Sequence, residues 1–320
     1  MTILSVLGSG AFGTALAIVL SKTGQNVTLW SRHASQAKGM QDTRESGPRL
    51  PGFALPDTLN VTSDSKAFGS ETCLLAIPTQ SLATFLTGFP KNAGQDLVAC
   101  CKGVDRQTGL GPVATIQNSH PDARAAILTG PGFAVDLARG LPTAHVIASK
   151  DEAHATALQS LLTRPTLRLY RSTDVVGAEL GGALKNVIAL AAGMAIGAGL
   201  GDSARASVIA RGFSELGRYA AAKGAKTETI QGLSGLGDLV LTCTSEKSRN
   251  FTSGIALGQG RPIDPDTTVE GLATAPTVAK EAKSLGLDLP LLQAVSDVVE
   301  GKLDIQGAIE TLLARPVGKE

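Results

Sequence analysis

The feature that most constrains this chain is Gly8-Ser9-Gly10-Ala11-Phe12-Gly13, set directly between a short apolar run, Ile3–Leu7, and the helical pattern Thr14–Ser21. A bare match to this glycine spacing is weak, and its position between a strand and a helix is what gives it a mechanism. Gly8 permits a tight turn, Gly10 lets the main chain approach a pyrophosphate, and Gly13 lets the helix pack closely on the strand. The pyrophosphate would then sit over free N–H groups at the positive end of a helix. The competing reading is a tight turn that binds nothing.

The rest of the chain divides by pattern. Up to about residue 170, short apolar runs alternate with helical segments: Val27–Trp30, Thr72–Ile77, Leu97–Cys101, Ala125–Leu128, Ala144–Ala148 and Thr166–Tyr170 follow the first run. That alternation predicts an α/β domain of Rossmann type, doubly wound on a mainly parallel sheet. From about residue 174 the strand signal stops, and Val175–Ala198, Ala204–Lys223, Ser234–Thr242, Val269–Leu285, Leu291–Glu300 and Ile305–Leu313 read as helices. Helix punctuation agrees at Asp202-Ser203, Lys223-Gly224 and Asp288-Leu-Pro290. The expected organisation is a dinucleotide-binding domain over residues 1–175 and an all-helical substrate and catalytic domain over 176–320. With no repeat and no low-complexity linker, the junction should be tight and a ligand should lie in the cleft between the halves.

Cofactor preference is read where the second strand ends, Trp30-Ser31-Arg32-His33. A carboxylate there would bind the ribose 2′-hydroxyl of NAD. None is present, while the Arg32 guanidinium and the Ser31 hydroxyl suit a 2′-phosphate, so NADP(H) is expected ahead of NAD(H). A solvated surface arginine is the plainer account of Arg32.

Three later segments carry polar residues in apolar or glycine-rich settings, where an unneeded polar group is costly. These are Gly181-Gly-Ala-Leu-Lys185-Asn186, Gly235-Leu-Gly-Asp238-Leu-Val-Leu-Thr242 and Ser248-Arg249-Asn250, the last opening a further helix. Together with the glycine loop, Cys101-Lys102-Gly103, Gly130-Pro-Gly132-Phe-Ala134 and Val269-Glu270-Gly271, they resemble the ordered signature segments of the bacterial NAD(P)-dependent glycerol-3-phosphate dehydrogenases. The resemblance runs from the first strand nearly to the C-terminus.

That resemblance implies that Lys185 gives a proton to the substrate carbonyl oxygen in reduction and takes it back in oxidation. An ammonium there can stabilise a developing alkoxide and then protonate it. Burial would lower the lysine's pKa and a neighbouring Asp238 would raise it. It further implies that Asp238 orients Lys185 or binds substrate hydroxyls, and that Ser248, Arg249 and Asn250 hold the substrate phosphate, with Arg249 also on the cofactor. Lys102 would reach substrate and cofactor from the first domain, beside Gly130 and Gly132. Ala134, Val269 and Glu270 would be further cofactor contacts, although Glu270 alone reads as a helix-start carboxylate. Two positions depart from the family pattern: Gly132, usually Ser or Thr, and Ser203, commonly Asn. They bear on substrate affinity and not on the reaction.

A related hydroxyacid or 6-phosphogluconate-type dehydrogenase shares much of this layout, and a protein that senses NADPH without turnover shares the nucleotide site. The Gly235-Leu-Gly-Asp238-Leu-Val and Ser248-Arg249-Asn250 segments favour the glycerol phosphate enzyme over the first, and the presence of Lys185 and Asp238 argues against the second. The formal charge of +1 offers no global field for nucleic acid or an anionic membrane. Four cysteines (Cys73, Cys100, Cys101, Cys243) lack metal-ligand spacing and read as reduced core residues, and no metal is expected. The uncharged stretch Asn186–Gly201 is too short and too rich in small residues for a membrane span and reads as a buried helix. Without a signal-peptide pattern, a soluble cytoplasmic enzyme is expected, and the resemblance suggests a homodimer.

Overall fold

The computed structural model describes residues 4–265 and 267–315, so Ile3, the first residue of the first predicted strand, lies outside the described residues. The chain forms two compact units, one of residues 1–102 and 110–178 and one of residues 103–109 and 179–320. The dividing line falls a little beyond the expected one, and the second unit also takes in Gly103–Gly109, which the sequence reading left in the first domain.

In the first unit an eight-stranded sheet runs β3-β2-β1-β4-β5-β6-β7-β8. Its strands are β1 (Leu4–Leu7), β2 (Val27–Trp30), β3 (Leu59–Thr62), β4 (Thr72–Leu75), β5 (Asp96–Ala99), β6 (Arg124–Thr129), β7 (Thr143–Ala148) and β8 (Leu167–Ser172). β1 through β6 are parallel; β7 pairs antiparallel with β6 and parallel with β8. Central strands β1, β4 and β5 are buried at every residue, as helices on both faces require. Leu4, Val6, Leu74, Val98, Leu128 and Ile147 join Leu16 and Leu20 of helix α1 (Ala11–Ser21) in one core.

The order of the sheet locates the site. From β1 the chain winds outward through β2 and β3, then crosses back to β4 on the other side of β1. Ligands of open α/β sheets bind at the carboxyl ends of strands flanking such a reversal. The ends of β1, β2, β5 and β6 therefore bring Gly8, Ser31, Lys102 and Gly130 to one edge. β3 is the strand that the sequence reading missed: at the sheet edge its Leu59-Asn-Val-Thr62 alternates apolar and polar residues too briefly to stand out.

The second unit is helical. Its elements are α7 (Val175–Gly197), α8 (Gly201–Ala222), α9 (Thr227–Gln231), a π-helical turn (Leu233–Gly237), α10 (Asp238–Cys243), α11 (Arg249–Gly258), α12 (Glu270–Ser284), α13 (Pro290–Val299) and α14 (Ile305–Leu313). α7 begins in the first unit and is long and apolar enough to cross a membrane, yet 89% of its most apolar window is buried inside the protein. Its small residues explain why: a Cβ at Gly193 would lie 2.1 Å from the Phe251 carbonyl oxygen, and one at Gly254 would lie 2.2 Å from that of Leu190. α7 and α11 meet backbone to backbone. Pro290 starts α13, and the buried Glu215 of α8 accepts from the Leu291 and Leu292 N–H groups at 2.8 and 2.9 Å. All four cysteines are buried free thiols.

Candidate active site

In the first unit, two of the three loop glycines are demanded by the protein itself. Gly8 has φ +118°, and a Cβ on it would strike the Ala76 carbonyl oxygen at 2.4 Å. A Cβ on Gly13 would lie 2.0 Å from the Gly8 carbonyl oxygen. A Cβ on Gly10 meets no atom within 4 Å among the described residues. None of the described residues asks for that glycine, so the space over it fits a ligand that approaches the backbone. Gly10 is also the N-cap of α1 and brings no side chain to cap it, and the first turn, Ala11 and Phe12 included, holds no carboxylate. The first N–H groups of a helix have no partner within it and suit a pyrophosphate.

Beyond β2 the structure corrects one expectation. Ser31 is fully buried; its Oγ accepts from Ser9 Oγ at 2.8 Å and, at 3.4 Å, from the His33 N–H. Its hydroxyl braces the glycine loop against the end of β2 and is not presented to a phosphate. Arg32 and His33 are exposed, with Arg32 Nε donating to His33 Nε2 at 2.9 Å. His33 is the N-cap of α2 (Ala34–Thr43), whose first turn also lacks a carboxylate. A guanidinium and a helix start together favour an added anionic group. Farther along the same edge, Lys102 Nζ donates to the Gly130 carbonyl oxygen at 2.9 Å. The loop from Gly130 then leads through Gly132 and Phe133 to Ala134, the first residue of α5 (Ala134–Arg139).

The second unit holds a different kind of site. A Cβ on Gly181 would lie 2.5 Å from the Ser234 carbonyl oxygen, so α7 lies close against the start of the π-helical turn. One turn farther along α7, Lys185 Nζ donates to Asp238 Oδ1 at 2.6 Å and to Thr242 Oγ1 at 2.7 Å. Thr242 Oγ1 in turn donates to the Asp238 carbonyl oxygen at 2.6 Å. Lys185 is 7% exposed and Asp238 1%. Burying this pair costs desolvation, which short charge-assisted hydrogen bonds offset only with good geometry. Lys185 and Asp238 are thus together as the sequence anticipated. Thr242 is the member left without a role, although its spacing of four from Asp238 on one helix face was a usable signal. Cys243 lies in the same environment, where burial chiefly, and Asp238 to a lesser degree, push its thiol to about 12 against the pull of Lys185 and Arg205. It stays protonated.

Around this centre the remaining residues are ordered by helix ends. Asn250 is buried; its amide donates to Asn186 Oδ1 at 2.9 Å and its Oδ1 accepts from the Gly271 N–H at 2.9 Å. It ties α7, α11 and α12 together beside the lysine. Ser248 is the N-cap of α11, and its Oγ accepts from the Phe251 N–H at 3.2 Å. Arg249, next to it, is exposed at the helix start. Val269 is the buried N-cap of α12, and Glu270 opens that helix. Ser203 stands exposed in the first turn of α8. Lys185, Asp238 and Thr242 thus form one hydrogen-bonded set and Asn186, Asn250 and the Gly271 N–H another, with Ser248 capping α11, all in the second unit; the glycine loop, Arg32, Lys102, Gly130 and Gly132 belong to the other unit.

Comparison with known proteins agrees over the full length. Residues 3–155 match the family described as NAD-dependent glycerol-3-phosphate dehydrogenase N-terminus, and residues 174–310 match NAD-dependent glycerol-3-phosphate dehydrogenase C-terminus. The glycerol-3-phosphate dehydrogenase [NAD(P)+] of Roseobacter denitrificans is 54% identical over 98% of this chain and 99% of its own length. That of Paracoccus denitrificans is 53% identical over 99% of each chain. A crystal structure of glycerol-3-phosphate dehydrogenase from Coxiella burnetii, 33% identical, superposes with a TM-score of 0.92 over 98% of this chain and 99% of that one. With the glycine loop and the buried lysine in place, the chain belongs to the NAD-dependent glycerol-3-phosphate dehydrogenase family.

Proposed function

We propose that this protein is an NAD(P)-dependent sn-glycerol-3-phosphate dehydrogenase that reduces dihydroxyacetone phosphate at C2 and runs the reverse oxidation. The observation that carries the reading is a buried Lys185 hydrogen-bonded to Asp238 and Thr242 within the family's C-terminal region. Bound NAD(P)H supplies the hydride. The protein supplies the rest: Lys185 protonates the C2 oxygen as charge develops on it, Asp238 holds the ammonium in place, and Thr242 fixes the carboxylate's helix and accepts a second N–H. Arg249 at the start of α11 is the phosphate-binding group of this reading, with Ser248 and Asn250 shaping that helix end. The glycine loop and the α1 N-terminus hold the pyrophosphate. Lys102, Gly130 and Gly132 line the substrate, and Ala134, Val269 and Glu270 complete the cofactor contacts.

Arg32 and the α2 start support a preference for NADPH over NADH. The product is the backbone of glycerophospholipids, so we read the role as supply of that precursor, in the cytoplasm, by a homodimer.

The test is nicotinamide oxidation with dihydroxyacetone phosphate, run with NADPH and NADH, for the parent and Arg32→Asp. The reading expects glycerol 3-phosphate as product, a lower KM for NADPH, and loss of that advantage in the variant. Turnover of a 3-hydroxyacid or 6-phosphogluconate in place of the triose phosphate contradicts it, as does tight NADPH binding with no turnover. Unchanged Michaelis constants in Arg32→Asp remove the NADPH assignment alone.

A further inference from the structure

His145, in β7, is 1% exposed and has no role in the reading above. It touches both glycines of the Gly130–Gly132 loop. Gly130 has φ +132°, and a Cβ on it would lie 3.0 Å from the His145 Cα. A Cβ on Gly132 would lie 2.7 Å from Cε1 and 3.0 Å from Nε2 of the His145 ring. Phe12 of the dinucleotide loop is also close to that ring, with centroids 6.1 Å apart. The carbonyl of Gly130, finally, is the acceptor that anchors Lys102 Nζ at 2.9 Å. One imidazole therefore sits where the dinucleotide loop, the Gly130–Gly132 loop and, through the Gly130 carbonyl, the Lys102 ammonium converge.

We propose that His145 is a positioning residue for substrate binding, its ring filling the volume that a side chain at position 132 would occupy, so that residues 132 and 145 can be exchanged only together. The inference rests on the dehydrogenase reading, in which the loop and Lys102 face the substrate. It also accounts for the glycine at a position where the resemblance leads one to expect Ser or Thr. A serine at 132 cannot enter without displacing either the ring or the loop: Thr143 Cγ2, 3.1 Å from the same Cβ position, crowds it further, and the ring is buried. Where the loop moves, the acceptor of Lys102 moves with it. Removing the ring instead leaves a void under the loop.

The experiment is a double-mutant cycle on the full chain: the parent, Gly132→Ser, His145→Val and the pair together, read as kcat and KM for dihydroxyacetone phosphate, KM for NADPH, and Tm. Each single variant is expected to raise the KM for dihydroxyacetone phosphate far more than it lowers kcat. The pair should recover most of that loss, a coupling of about tenfold. A serine tolerated beside His145, or losses that multiply in the pair, overturns the proposal. So does a fall in Tm with no change in KM, which is what a merely structural role produces. If the parent itself does not turn over dihydroxyacetone phosphate, the dehydrogenase reading fails. The exchange is then decided by Tm: it stands if Gly132→Ser lowers Tm only when His145 is present, and falls if the loss is equal in both backgrounds.

Discussion

The glycine loop of the first unit and the lysine centre of the second solve their tasks by opposite means. The loop is made of backbone: Gly8 lets it pass Ala76 beyond β4 and Gly13 lets the helix meet the strand's end, both at distances no Cβ allows, and Gly10 leaves its surface bare. The lysine centre is made of side chains 53 and 57 residues apart in sequence, held by hydrogen bonds of 2.6 and 2.7 Å. A backbone site needs only a local pattern, and so can be written in six consecutive residues. A side-chain site needs a folded scaffold to bring α7, the π-helical turn and α10 together. Glycine serves both, but differently. In the loop it frees the backbone for a ligand, whereas at Gly181, Gly193 and Gly254 it brings helices into contact.

That contrast can be broken by mutation. Asp238→Asn should have the largest effect, because removing one partner of a buried ion pair costs about 3–5 kcal/mol. We expect kcat to fall by two orders of magnitude or more, on the order of what a positioned proton donor contributes, with NADPH binding by fluorescence titration unchanged; retained kcat would detach Asp238 from the chemistry. Next come the loop glycines. Gly13→Ala should lower Tm and weaken NADPH together, whereas Gly10→Ala should weaken NADPH by about tenfold, or about 1.4 kcal/mol, and leave Tm alone. Equal Tm losses would show that Gly10 serves packing after all.

The smallest effect expected concerns Glu215, which has no role in the proposed chemistry. Burial raises its pKa above the ordinary carboxylate value, against the Leu291 and Leu292 N–H groups and Arg218, with Asp288 adding to the rise. A raised folded-state pKa means that stability is gained as pH falls through that value toward the ordinary one, and is lost as pH rises through it. The Tm of the parent, relative to that of Glu215→Gln, should therefore increase on going from neutral pH toward about 4.3. A difference that stays constant with pH would contradict this.

Much of this was legible because the signals were local. The strand–glycine–helix junction at Leu7–Gly13 and the loss of the strand signal from about residue 174 show in any short window, and so do starts such as Pro290. β3 was not, since an edge strand of four residues with Asn60 and Thr62 carries no sustained alternation. The antiparallel setting of β7 was not either, because direction depends on where the chain returns and not on the strand's own residues. In the site, Lys185 and Asp238 stood out as charges in apolar runs. Thr242 and His145 did not: a threonine in a helix and a histidine in a strand acquire meaning only from what they touch. Ser31 was misread for the same reason, its hydroxyl being turned inward to Ser9.

The most direct test of the division of labour is Lys185→Ala, with NADPH binding and dihydroxyacetone phosphate reduction measured on the same preparation. The account predicts an NADPH dissociation constant within about twofold of the parent, well under the 1.4 kcal/mol of a tenfold change, and turnover lowered by about 10²–10⁴-fold. Turnover that survives the substitution, or nicotinamide binding that disappears with it, would contradict the placement of binding in the glycine loop and chemistry in the lysine centre.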